Sequence, residues 1–187
     1  MDTLRLTENY PELDSLKIEA KKLQKNGLPF MMASVCIWSM VLGAQLLSGS
    51  IRQANMLTFM ASAFLMPLAF LFSLMLKANI FKKTKNPVNK LGFICTMNQM
   101  LYLPIAMWAC TVSPKAMLMI YAIIFGAHLL PFAWVYDCKA YMVISIIETI
   151  GVFFIALIFG NVPAVAFMIA MQIIICICLF VKVRKEN

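Results

Sequence analysis

The sequence predicts an all-α integral membrane protein: six transmembrane helices preceded by a short amphipathic helix. Three observations predict it. Of the 187 residues, 63% are hydrophobic and 13% charged, against about 45–50% and about 25% in soluble domains; the mean hydropathy is +0.86. Six apolar runs, at 28–49, 55–77, 91–112, 115–136, 140–160 and 162–182, each come close to the about 20 residues that cross a bilayer as a helix. The runs are continuously apolar and lack period-two alternation, which excludes a membrane β-barrel. The spans use most of the chain and leave no room for a separate soluble domain. The organisation is therefore an amphipathic head at 1–27, a six-helix membrane domain at 28–182 and a tail at 183–187.

The head is polar and mixed in charge. Pro11 suits a first helical turn, with Glu12 and Asp14 beside it, while Lys21, Lys22 and Lys25 fall near the end and Gly27 supplies a stop. Leu13, Leu16, Ala20 and Leu23 form a narrow apolar stripe at helical spacing. Two readings are equally supported: a helix lying on the membrane surface, and a solvated leader with no partner. A cleaved signal peptide is not expected, because Asp2, Glu8, Glu12 and Asp14 are wrong for its basic leading region.

Lysine and arginine placement sets the expected orientation. The N-terminal side, the second-to-third connection, the fourth-to-fifth turn at Lys139 and the C-terminal tail together hold 14 basic residues, while the opposite side has only Arg52 and Lys115. This asymmetry predicts both termini in the cytoplasm of a multi-pass cell-membrane protein. It also accounts for the net charge of +8: the basic residues flank apolar runs and form no patch with interleaved aromatics, so a nucleic-acid partner is rejected and contact with the lipid bilayer is expected. The six cysteines include no C-x-x-C pair, and five lie in apolar segments, where cysteine acts as a small hydrophobe.

The last two runs meet at Gly160-Asn161-Val162-Pro163, a turn tight enough to make the fifth and sixth spans antiparallel neighbours. Pro67, Pro104 and Pro131 punctuate the second, third and fourth spans and would free the carbonyls of Ala63, Met100 and Ala127. Residues 64–70 (F-L-M-P-L-A-F) and 128–134 (H-L-L-P-F-A-W) echo one another on spans of the same direction, although biased composition suffices to explain the match.

Polar residues inside apolar spans are the informative ones, because lipid offers them no partner. His128, the single histidine, and Glu148 each lie ten residues from Cys138 in the turn between the fourth and fifth spans, about 15 Å by helical rise and so near the midplane of a hydrocarbon core about 30 Å thick. Asn98 and Gln99, counted from Lys90, reach about 12–14 Å, and Gln172, counted from Lys182, about 15 Å. Five polar residues from four spans thus share one level. Tyr102 extends a polar stripe of Cys95, Asn98 and Gln99, while Ser145, Glu148 and Thr149 form another. One reading is a hydrogen-bond network that holds helices together, each bond worth about 0.6–2 kcal/mol. The other is a proton or ion path or a polar substrate pocket, since an ionised carboxylate at that depth costs several kcal/mol unless paired. The second is favoured for Glu148, the two are level for His128, and the first is favoured for Gln172. If the fourth and fifth spans present the right faces, His128 and Glu148 meet. Trp134, Tyr136, Asp137, Lys139 and Tyr141 are explained as interfacial aromatics and charges.

No P-loop, dinucleotide fingerprint, G-x-S-x-G or H-E-x-x-H occurs. The sixteen methionines form no ladder converging on histidines. No cofactor, no metal and no catalytic residue is therefore expected, and an enzyme acting on lipid ranks third among the readings.

The stretches K-N-P-V-N-K-L-G-F at 85–93, F-L-M-P-L-A-F at 64–70 and above all G-A-H-L-L-P-F-A-W-V-Y at 126–136 carry a resemblance: the chain resembles an uncharacterised family of small bacterial six-span membrane proteins, matched from the first to the fifth span and without the head. Tyrosine is usual in that family where this chain has Leu129, and a glycine-containing turn where it has Asp137-Cys138. The resemblance implies the fold and the prominence of the 126–136 motif, and supplies no activity. The leading functional expectation is a small proton- or ion-linked transporter, with Glu148, His128, Asn98, Gln99, Gln172 and Tyr102 on its path. The alternative is a non-transporting accessory or regulatory protein that engages a partner through its N-terminal helix. A homodimer or a membrane partner stays open, as a thin six-helix bundle would allow, without support from any G-x-x-x-G motif.

Overall fold

The computed structural model describes residues 11–80 and 84–186. Arg5, Lys82 and Lys83, counted above among the orientation signals, lie outside them. The fold is all-α. In chain order the helices are α1 (Pro11–Gln24), α2 (Leu28–Leu47), α3 (Ile51–Ala63), α4 (Leu65–Met75), α5 (Pro87–Val112), α6 (Pro114–Ala127), α7 (Leu130–Val135), α8 (Lys139–Phe159) and α9 (Asn161–Glu186), with a 3-10 turn at Lys25–Gly27. Grouped by continuity, they give six helices long and apolar enough to cross a membrane, with α1–α2, α3–α4 and α6–α7 each forming one.

Capping explains where the helices outrun the apolar runs. α3 begins at Ile51 rather than 55 because Ser50 accepts a hydrogen bond from the Gln53 amide at 3.2 Å. α5 begins at Pro87 rather than 91 because Asn86 accepts from the Val88 amide at 2.9 Å and proline suits the first turn.

The expected antiparallel pair forms: α8 and α9 pack along each other across Gly160 (φ 87°), which alone separates them. α2 packs along α9, α4 and α3, and α6 packs along α8 and α5. Of the three span prolines, two interrupt their helix. The break before Pro67 falls at Phe64 and the break before Pro131 at His128–Leu129, three residues or fewer upstream, whereas α5 runs unbroken through Pro104. Both interruptions thus fall at the start of the echoed heptapeptides, and Leu65, Met66, His128 and Phe132 from the two copies line one cavity.

Two apolar clusters make the core. One joins Trp38, Val41, Met117, Tyr121, Phe125, Val152, Val165 and Met168; the other joins Ala20, Leu28, Met31, Val88, Leu129, Tyr136, Tyr141, Ile144, Ile175 and Leu179. On α2, α8 and α9 the chain passes from one cluster to the other through a polar residue: Ser34, Glu148 and Gln172 respectively. The shared level inferred from depth is therefore a layer between two packed halves.

The head is not a solvated leader. Of the predicted stripe, Ala20 is fully buried and Leu13 and Leu16 pack against the second cluster, so their partner is the bundle, while Leu23 is half-buried outside both clusters. Polar contacts fix it there. Asn86 donates to the Leu16 carbonyl at 2.8 Å and to Glu19 Oε2 at 3.0 Å, and the Asn79 amide donates to the Leu23 carbonyl at 2.8 Å. Lys17 stands over the Trp134 ring at 3.9 Å, and Lys21 pairs with Asp137 at 3.1 Å. The Lys21 ammonium holds the Asp137 carboxyl below its usual range, first through the hydrogen bond and then through its charge. Asp137 has φ 43°, a conformation glycine adopts freely and aspartate tolerates.

Trp134 is half exposed, as an interfacial aromatic should be, but Tyr136 and Tyr141 are buried. They form the seat of the α1–α2 kink: Tyr136 donates to Gln24 Oε1 at 2.5 Å and Tyr141 to the Asn26 carbonyl at 2.8 Å. Gly27 (φ 76°) completes this kink, and a Cβ there would lie 2.8 Å from the Tyr141 hydroxyl and 2.9 Å from the Tyr136 ring.

Candidate functional site

The midplane residues separate into three groups. The first is a buried hydrogen-bonded chain. The Ser34 hydroxyl on α2 donates to Gln172 Oε1 on α9 at 2.5 Å and shares that proton with the Met31 carbonyl at 2.7 Å; the Gln172 amide donates to Glu148 Oε1 on α8 at 2.5 Å. All three side chains are fully buried. The second carboxyl oxygen, Glu148 Oε2, has no hydrogen-bond partner among the described residues, and neither do Thr149 Oγ1 and Trp38 Nε1. Depth had placed Glu148 and Gln172 at one level, and the structure brings them together. Ser34, which completes the chain, is the kind of small polar residue that helix interfaces in membranes favour, but a lone serine in an apolar run gave no stronger signal.

The second group is a cavity of about 140 Å³. It runs from Gln24, Gly27 and Asn89 near the α1–α2 kink to Gln99 and His128, with Leu65 and Met66 of α4 on another wall. Seven of its lining residues carry rings: Phe30, Phe93, Phe125, His128, Phe132, Tyr136 and Tyr141. Gln99 is 7% exposed, and its amide makes no hydrogen bond to the described residues. The His128 ring sits edge-on to Phe125 and Phe132, and its Nδ1 bonds the Phe125 carbonyl. A carbonyl can only accept, so Nδ1 carries the proton, and Nε2 of the uncharged ring is a bare acceptor.

The third group is outside. Asn98 and Tyr102 are exposed and bond each other at 3.3 Å. The stripe read on the third span therefore divides: consecutive residues on a helix point about 100° apart, so Gln99 enters the cavity while Asn98 and Tyr102 leave the layer.

The expected meeting of His128 and Glu148 does not occur as a hydrogen bond. Glu148 turns toward α9 and α2, whereas His128 turns toward α5 and the cavity. What links them is the end of α6. Gly126, two residues before His128, presses against α8 so closely that a Cβ would lie 3.0 Å from Glu148 Cβ, 3.0 Å from Thr149 Oγ1 and 3.1 Å from the Thr149 amide nitrogen. Ser145 donates to the Gly126 carbonyl at 2.8 Å, so the carbonyl engaged beside Pro131 is Gly126's rather than the Ala127 carbonyl that the proline frees. The glycine inside an apolar helix was the available sign of this close approach.

Six apolar membrane-length helices with a polar layer at half height define a multi-span membrane protein. A family model described as a family of unknown function, DUF7010, matches residues 13–182, and the chain belongs to that family. The match begins inside α1 and runs through α9, further at both ends than the resemblance noted above. Neither the curated proteins nor the solved structures give a match.

Proposed function

We propose that this protein is a small proton-linked transporter. The cavity takes the transported molecule, with Gln99 and His128 as its polar contacts, and Glu148, relayed through Gln172 and Ser34, takes the proton. One observation carries the reading: the α6–α7 interruption bears the cavity-lining His128 on one side and Gly126, in contact with Glu148, on the other. Discontinuous helices at the midplane are how transporters place a site that must also move. A proton gained or lost at Glu148 would shift the α6–α8 contact and with it the His128 ring. Asn98 and Tyr102 drop out of the path, because both face outward. We place both termini in the cytoplasm on the 14-to-two distribution of basic residues; a reporter fused after Asn187 should then report the cytoplasmic side, and a signal from the opposite side overturns the orientation.

The full burial of Ser34, Gln172 and Glu148, away from the cavity lining, favours the second reading, a static accessory protein whose layer only holds helices together. Proteoliposomes with an imposed pH gradient and a panel of small solutes separate the two. Transport predicts a solute-dependent proton flux that Glu148→Gln abolishes while the variant still folds, because glutamine keeps shape and hydrogen bonding but cannot titrate. A Glu148→Gln flux equal to wild type, or wild-type vesicles no different from empty ones across the panel, favours the accessory role.

A further inference from the structure

We infer that the cavity binds an uncharged molecule about the size of one aromatic ring that offers an O–H or N–H donor, a phenol being the simplest example. This rests on reading the cavity as the substrate site. Size sets the first limit: about 140 Å³ is close to the volume of an engineered apolar cavity that accommodates benzene. Charge sets the second. No Asp, Glu, Lys or Arg is among the described lining residues, and the one base, His128, is uncharged when Nε2 is a bare acceptor, so an anion finds no fixed cation and a cation finds no carboxylate; in a wall of rings and aliphatic groups either would lose its hydration without a counter-charge.

Hydrogen bonding sets the third limit. The two polar groups at the inner end are both open: the Gln99 amide is without a bond to the described residues, and His128, with its proton committed to the Phe125 carbonyl, presents Nε2 as an acceptor. Both groups face the cavity, so an occupant that donates to His128 Nε2 and bonds Gln99 gains hydrogen bonds inside an otherwise apolar wall. A purely apolar occupant forgoes them and displaces whatever solvent those groups hold. The Phe132 and Tyr136 rings, stacked on one another at 5.8 Å, add aromatic surface to the lining against which an aromatic occupant packs.

The test is fluorine NMR on the full chain in lipid nanodiscs, with 4-fluorophenol as the probe. Saturable binding of 4-fluorophenol is expected, with fluorobenzene about tenfold weaker for want of one hydrogen bond. Tetramethylammonium and 4-fluorobenzoate should not compete. Gly92→Phe should abolish binding, because a Cβ at Gly92 points at Val135 and Phe132 from 3.7 and 4.0 Å and the added ring fills the space. Should that variant fail to fold, Gln99→Leu serves instead: it should weaken 4-fluorophenol about tenfold and leave fluorobenzene unchanged. Equal affinity for the two probes, competition by either ion, or a Gln99→Leu variant that binds both probes as wild type does overturns the inference. The measurement involves no flux, so a cavity that binds 4-fluorophenol in a protein that moves no protons would retain the ligand and refute transport, and the converse result would do the opposite.

Discussion

Gly126→Val is expected to lower the melting temperature sharply, with Gly126→Ala falling between it and wild type. The Cβ that alanine adds lies 3.0 Å from Glu148 Cβ and Thr149 Oγ1, and 3.1 Å from the Thr149 amide nitrogen. The last of these is backbone, so no rotamer change relieves it, and α8 itself must withdraw by a few tenths of an ångström. Valine adds two more methyl groups at the same place. Overpacking of this kind costs about 1–3 kcal/mol, and here the withdrawal would also stretch the Ser145 bond to the Gly126 carbonyl, 2.8 Å as it stands. Thermal unfolding in detergent of the three proteins provides the check. A valine variant that melts with wild type would mean that α6 and α8 do not meet as closely as described.

The second large effect is expected at Trp38. Its side chain is fully buried within the first cluster, 5.4 Å edge-on from Phe125 and 5.7 Å from Tyr121. In lipid there is little hydrophobic drive between helices, so Trp38→Ala loses packing rather than transfer free energy, and about 3 kcal/mol, the lower end for aromatic-to-alanine changes in cores, is the expected loss. Trp38→Phe should cost much less. It keeps a ring against Phe125 and Tyr121 and removes an indole N–H that has no partner among the described residues. Chemical unfolding of both variants measures the difference. A phenylalanine variant as damaged as the alanine one would show that the N–H is satisfied in the membrane and contributes stability.

Much of this was legible in the residue order, and the part that was not has one physical origin. Depth is readable because helical rise is constant: Glu148, Gln172, His128 and Gln99 were placed at one level by counting from charged ends, and the structure hydrogen-bonds Glu148 to Gln172 and sets His128 and Gln99 on one cavity. Rotation is not readable when a helix is apolar on every side. His128 and Glu148 share a level yet turn away from each other, and Asn98 and Gln99, neighbours in sequence, lie on opposite sides of the wall. The head shows the reverse case. Its stripe of Leu13, Leu16 and Ala20 was visible because its other faces are polar, but periodicity says which face is apolar and not what covers it. Gly126 and Ser34 were overlooked for a third reason: small residues matter through what approaches them, and that is a property of the neighbouring helix.

The two-part core has a mechanical consequence. Interdigitated side chains must unlock before one helix can slide past another, whereas a hydrogen bond between Ser34, Gln172 and Glu148 can lengthen, break and re-form on a different pairing. The bundle is in this sense two stiff blocks joined by a compliant layer at half its height. A load applied at the α1 end, where Asn86, Asp137 and Tyr136 grip the first helix, would travel through the lower block undiminished and be taken up at the joint. Displacement would then concentrate beside Glu148 and His128, leaving the packing above and below intact.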